Sequence, residues 1–101
     1  MNSSLELLIT EADIINGHCL SAHSCPIALA AMRHFPGYAV GVVGAAMFVT
    51  KYTDDGNGKI ASHVFASSKE VINFIEKFDG LVGGADRSAF KPFIAKFTER
   101  T

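Results

Sequence analysis

The sequence lacks tryptophan, has only two cysteines and carries little charge, since charged residues make up 19% of its 101 positions. The net charge of −1 at pH 7 comes with no basic stripe of the kind that binds a nucleic-acid polymer. No apolar stretch is long enough to span a membrane, and the first residues lack the basic region of a signal peptide. We therefore expect a cytoplasmic protein with reduced thiols, although a Cys19–Cys25 disulfide is an open alternative.

The sequence is rich in apolar side chains. Apolar residues make up 49% of the chain, and eight phenylalanines predict a core built on that residue. The length is that of one domain covering 1–101. A small domain with so little charge is expected to hide apolar surface between subunits, which predicts a homo-oligomer.

Hydrophobic periodicity and turn residues divide the chain into alternating elements. In order they are a strand at 5–9, a short helix at 11–15 capped by Thr10, a helix from Pro26 with Ser24 or Cys25 at its N-cap, strand character over 38–52, a strand at 60–66, a helix capped by Ser67 and a strand at 93–98. The order β-α-α-β-β-α-β predicts an α+β domain, with an antiparallel sheet of about four strands and helices on one face. We expect the strands at 38–52 and 60–66 to form a hairpin, and the first and last strands to pair with each other or with that hairpin.

Glycines and phenylalanines refine this outline. Gly17 can end the short helix with a positive φ, and Gly41 and Gly44 indicate a bulge or a close backbone contact inside 38–52. The phenylalanines of the third helix and last strand are predicted to be core. They lack the regularly spaced basic neighbours of a base-stacking surface.

The most informative stretch is a polar loop, 18–25, that runs directly into an apolar helix beginning at Pro26. The first backbone N–H groups of a helix are unpaired and attract anions. Ser21, His23, Ser24 and Cys25 surround this point with small polar groups, and Arg87 is a candidate second contact. The sequence therefore predicts a site for a small anionic, nucleotide-like ligand at this junction.

Three other interpretations of the loop stay open. The first is purely structural, with Ser24 capping the helix and His23 lying in the loop. The second is a metal site formed by His18, Cys19, His23 and Cys25, which His63 could join; its spacing is not that of paired zinc knuckles. The third makes Cys25 a nucleophile, with His18 or His23 as base. We expect no metal, no cofactor and no catalytic residue.

Two segments resemble small uncharacterised α+β proteins encoded by phages and prophages. One is Cys25-Pro26-Ile27-Ala28-Leu29-Ala30 at a helix start. The other joins 71–79, an amphipathic helix ending in Phe-Asp, to a Pro-Phe strand at 91–97. The sequence departs from these proteins in a longer loop at 80–90 and a long glycine-bearing hairpin.

The resemblance implies a phage accessory protein in the host cytoplasm, and it brings no catalytic residues. Small phage proteins often counter host defence, so one hypothesis is a sponge that sequesters a nucleotide immune signal. The alternatives are a protein–protein inhibitor or assembly factor acting through its apolar surface, and a small Cys/His metal-binding protein or thiol enzyme.

Overall fold

The computed structural model of the protein describes residues 4–18, 21–80, 87 and 90–100. Its elements, in chain order, are β1 (Ser4–Ile9), α1 (Glu11–Asn16), α2 (Pro26–His34), β2 (Ala39–Val43), β3 (Ala46–Tyr52), β4 (Lys59–Ser67), α3 (Lys69–Asp79) and β5 (Phe93–Arg100). Cys19, which the metal and disulfide hypotheses include, lies outside the described residues, as does most of the loop at 80–90.

The strands form one sheet in the order β1-β5-β4-β3-β2, with every neighbouring pair antiparallel. The α+β prediction is confirmed. The expected pairing of the terminal strands is also confirmed, since Leu7 of β1 lies opposite Ala95 of β5. The last strand pairs with the hairpin as well, through Ala66 and Thr98.

The stretch 38–52 is two strands and not one, so the sheet has five strands where about four were expected. The chain turns at Gly44, whose φ of +47° lies in the region that glycine adopts most readily. Gly41 marks no bulge, because it pairs regularly with Phe48 of β3. A register irregularity does occur between Lys51 and Tyr52, but it lies in the pairing of β3 with β4.

Of three predictions about helix ends, the Thr10 cap is correct, whereas the Ser67 cap and the positive φ at Gly17 are wrong. Thr10 caps α1 as predicted, in a capping box with Asp13. The cap of α3 is Ser68 and not Ser67, because Ser67 is still paired as the last residue of β4. Gly17 has a φ of −70°, so no positive φ is needed there. A side chain is excluded at Gly17 for another reason, since a Cβ would lie 2.6 Å from the ring of Pro26.

All three helices pack on one face of the sheet. α2 contacts β1 and β2, whereas α3 contacts β4 and β5. The enclosed core includes Phe65, Phe78 and Phe97, and three residues of α2, Ile27, Ala28 and Ala31, have no exposed surface. Among the described helices, none has the length and apolar character needed to cross a membrane.

Candidate functional site

The start of α2 is closed by Cys25. This residue is the N-cap, and its sulfur accepts a hydrogen bond from the Ala28 amide at 3.4 Å. The Cys25 carbonyl accepts from the Leu29 amide at 3.0 Å. Pro26 has no N–H to offer.

These contacts use two of the backbone amides on which the predicted anion site depends. The Ala28 and Leu29 amides bond Cys25, whose residue surface is only 6% exposed. Ser24 does not cap the helix; its amide donates to the Ser21 hydroxyl at 3.1 Å. With these two amides used internally, the anion site at Ser21, His23, Ser24 and Cys25 stays a prediction, and a groove elsewhere in the structure offers a stronger candidate.

His23, in the loop before α2, contacts the backbone of β2. Its Nδ1 lies 2.7 Å from the carbonyl oxygen of Val40, and because a carbonyl can only accept, this nitrogen must carry the proton. Next to it, the Val42 amide donates to the Ala22 carbonyl at 2.8 Å. The loop thus pairs with β2, an edge strand of the sheet, and shields backbone groups that could otherwise pair with another chain.

The Arg87 side chain also bonds other groups of the protein. Its Nη1 donates to the carbonyl oxygens of Ile14, Ile15 and Gly17 at 2.9, 2.9 and 2.6 Å. Its guanidinium carbon lies 4.9 Å from the centre of the Phe78 ring. The cation therefore closes the C-terminal end of α1.

Among the described residues, no contact supports a nucleophilic thiol or a metal site. Burial raises the pKa of the Cys25 thiol, and the Asp79 carboxylate raises it further, which is the opposite of what a nucleophilic thiol needs. His63 does not approach the loop; its Nδ1 bonds Glu99 at 2.8 Å. No group of three metal-binding side chains converges within the part of the chain that the structure describes.

A different feature has the properties of a binding site. A groove of about 730 Å³ runs between α3 and the segment that leads into β5. Its lining residues are Lys69, Glu70, Asn73, Phe74, Lys77, Phe90, Lys91, Pro92 and Phe93. We call it the α3 groove. Its volume lies within the range of roughly 300–1,000 Å³ found for small-molecule sites.

The floor of the α3 groove is aromatic. The Phe74 ring lies 5.4 Å from the Phe90 ring and 4.9 Å from the Phe93 ring, measured between ring centres. All three are partly buried against the core. The prediction that these phenylalanines are core holds fully for Phe78 and Phe97. It is incomplete for Phe74 and Phe93, which also line the groove, and it did not include Phe90, which lies before β5.

The rim of the α3 groove is mostly cationic. Lys69 and Lys77 come from α3 and Lys91 comes from the opposite wall, with Glu70 as the one acidic lining residue. All three lysines are exposed. On α3, Lys69, Asn73 and Lys77 follow one another at i, i+4 and i+8, which places them in one row. That row was visible in the sequence, but nothing local places it beside Lys91.

Comparisons of the chain with protein-family models, with curated proteins and with solved structures gave no significant match.

Proposed function

We propose that this protein binds a small anion carrying a planar ring, a nucleoside phosphate being the model ligand, in the α3 groove, and that it catalyses no reaction on it. The observation that carries the proposal is the combination of a phenylalanine floor with a lysine rim in one groove. Phenyl rings favour a flat apolar ring, and ammonium groups favour phosphate oxygens.

The phenyl rings of the floor can stabilise a bound ligand without any contact that is specific to one base. Stacking of one nucleobase on an aromatic side chain is worth about 1–3 kcal/mol. Any flat ring has such a face, so the floor selects for a ring and not for a particular base. We therefore expect tolerance among purine and pyrimidine nucleotides.

The lysines of the rim make the groove selective for anions. Three lysines and one glutamate give the lining a formal charge of +2, from three cations minus one anion. Exposed ion pairs are each worth about 0.2–1 kcal/mol, and salt screens them. Binding should therefore be weak to moderate and should fall as ionic strength rises.

This proposal keeps the expected class of ligand and moves its site from α2 to α3. The phage origin, the cytoplasmic location and the sequestration of an immune signal are further parts of the proposal. They rest on the resemblance at 25–30, 71–79 and 91–97. A protein that sequesters a signal needs binding without turnover, which the α3 groove can provide with aromatic and cationic side chains alone.

The direct test compares three probes by calorimetry and by thermal unfolding. AMP offers ring and charge together, adenosine offers the ring alone, and inorganic phosphate offers the charge alone. We expect AMP to bind and to raise the melting temperature, with much smaller effects from the other two. Equal effects of AMP and phosphate would show that the groove attracts anions without recognising the ring.

The double variant Lys77→Ala/Lys91→Ala tests the location. We expect AMP affinity to fall about 2- to 30-fold, which corresponds to about 0.2–1 kcal/mol per lysine. The matched control is Lys59→Ala/Lys96→Ala, which changes the net charge equally at exposed positions outside the groove. If the control weakens AMP binding as much as the groove variant does, the α3 groove is not the site.

A further inference from the structure

A second cavity lies between α1 and the segment that leads into β5. Its volume is about 500 Å³, which is also within the range found for small-molecule sites. It shares Phe90, Lys91 and Pro92 with the α3 groove, and its other lining residues are Glu11, Ile14, Ile15 and Arg87. We call it the α1 pocket. The three shared residues form a common wall of the two cavities.

This common wall is held in place from both sides. The Phe90 ring lies 5.4 Å from the Phe74 ring and 5.5 Å from the Phe78 ring, measured between ring centres, and is steeply inclined to both. The Phe90 amide donates to the Arg87 carbonyl at 3.0 Å, and the Arg87 side chain bonds the end of α1. Both cavities are therefore formed before any ligand arrives, which lowers the ordering cost of binding.

The two cavities differ in charge. Lys91 lines both of them. Without Lys91, the α3 groove keeps a formal charge of +1, from two lysines minus one glutamate. The α1 pocket without Lys91 has a formal charge of zero, from Arg87 minus Glu11. An uncharged group therefore suits the α1 pocket, and a phosphate suits the position of Lys91 beside both cavities.

The remaining surface of the α1 pocket favours a ring. Ile15 is 60% exposed and lines the pocket together with Phe90 and Pro92. Two separate anions, one in each cavity, would both need Lys91 and would repel each other across the common wall. One ligand with its phosphates at Lys91 avoids this repulsion. Its second ring then binds without the entropy cost of a separate association.

We infer that the two cavities together bind one ligand made of two nucleosides joined through phosphates. One ring lies in the α3 groove, the phosphates lie at Lys91 and the second nucleoside lies in the α1 pocket. This inference rests on the proposed function, and it narrows the ligand class from a nucleoside phosphate to a dinucleotide.

The test compares ADP with diadenosine diphosphate by calorimetry on the full chain, with AMP as the reference. ADP and diadenosine diphosphate both contain two phosphates, but only the second has two adenosines. ADP carries the more negative charge, so charge alone would favour ADP. Since one stacked base contributes a measurable share of binding, we expect diadenosine diphosphate to bind about 5- to 150-fold more tightly than ADP.

The variant Ile15→Ser tests where the second nucleoside lies. It removes an apolar wall of the α1 pocket and keeps the backbone carbonyl that Arg87 bonds. We expect diadenosine diphosphate to bind about 2- to 10-fold more weakly, with ADP unchanged. Ile60→Ser is the matched control, because Ile60 is 61% exposed and lines neither cavity; it should change neither affinity.

The outcomes separate this inference from the proposed function. Equal affinities for ADP and diadenosine diphosphate overturn the inference, while AMP binding in the α3 groove would still stand. Tighter binding of diadenosine diphosphate that Ile15→Ser does not weaken, or that Ile60→Ser weakens equally, overturns it as well, because the second nucleoside would then lie elsewhere. Failure of AMP and ADP to bind at all overturns the proposed function, and the inference falls with it.

Discussion

Arg87 offers a sharp test of the difference between a ligand-binding residue and a structural one. Its Nη1 has only two protons but contacts the carbonyl oxygens of Ile14, Ile15 and Gly17, so at least one proton is shared. Its guanidinium also lies against the Phe78 ring. The substitution Arg87→Ala removes all of these contacts together.

The expected cost follows from these partners. A hydrogen bond to a charged group contributes about 1.5–3 kcal/mol, and a cation–π contact at an exposed site contributes about 0.5–1 kcal/mol. The Ile15 carbonyl is exposed and regains water when Arg87 is removed, so the sum must be discounted. We expect Arg87→Ala to lower the free energy of unfolding by about 2 kcal/mol. That corresponds to a fall of about 8–16 °C in melting temperature for a domain of this size.

Urea unfolding followed by circular dichroism measures this loss. Arg87→Lys should recover less than half of it, because an ammonium lacks the planar fork of donors and the flat face that stacks on a phenyl ring. Arg100→Ala, at an exposed position near the end of β5, is the matched control and should have little effect. A change below about 0.5 kcal/mol for Arg87→Ala, within the range of ordinary surface substitutions, combined with lost AMP binding, would refute this reasoning and restore Arg87 as a ligand contact.

Two further predictions concern buried titratable groups. Burial alone would raise the pKa of the Asp13 carboxyl, but hydrogen bonds from Arg33 and Thr10 outweigh it and hold that pKa below its ordinary value. Asp13→Asn should therefore cost about 1–3 kcal/mol at pH 7, and in urea titrations this difference should shrink as pH falls below about 4, the unfolded pKa; a constant difference would contradict it. Because burial raises the pKa of the Cys25 thiol, a Cys19→Ser variant should resist iodoacetamide at pH 8 when folded and react fully in urea, whereas fast labelling of the folded protein would show an accessible thiol.

The features that the sequence predicted correctly are those determined by neighbouring residues. The Thr10 cap follows from a hydroxyl placed before a short helix with Asp13 three residues later. The apolar face of α3 follows from Val71 and Phe78 recurring at helical spacing, and both are buried. Each of these signals is contained within one or two helical turns.

The missed turn shows where local signals fail. The residues on both sides of Gly44 are apolar and favour strands, so the sequence predicts a bulge or a close contact inside one strand there. A type II′ two-residue turn needs a positive φ only at its first central residue, so a single glycine between apolar residues can be enough. Only pairing of Val43 with Ala46 distinguishes a hairpin from a single irregular strand, and pairing is a tertiary property.

The sequence alone also could not choose between two roles for the start of α2. A small polar residue at a helix start can either cap the helix or leave its amides free for a ligand, and the sequence is the same in both cases. Cys25 caps α2 and is buried, so the amides are used internally. The α3 groove depends on Phe90 and Lys91 meeting α3 across a loop, which no periodicity predicts.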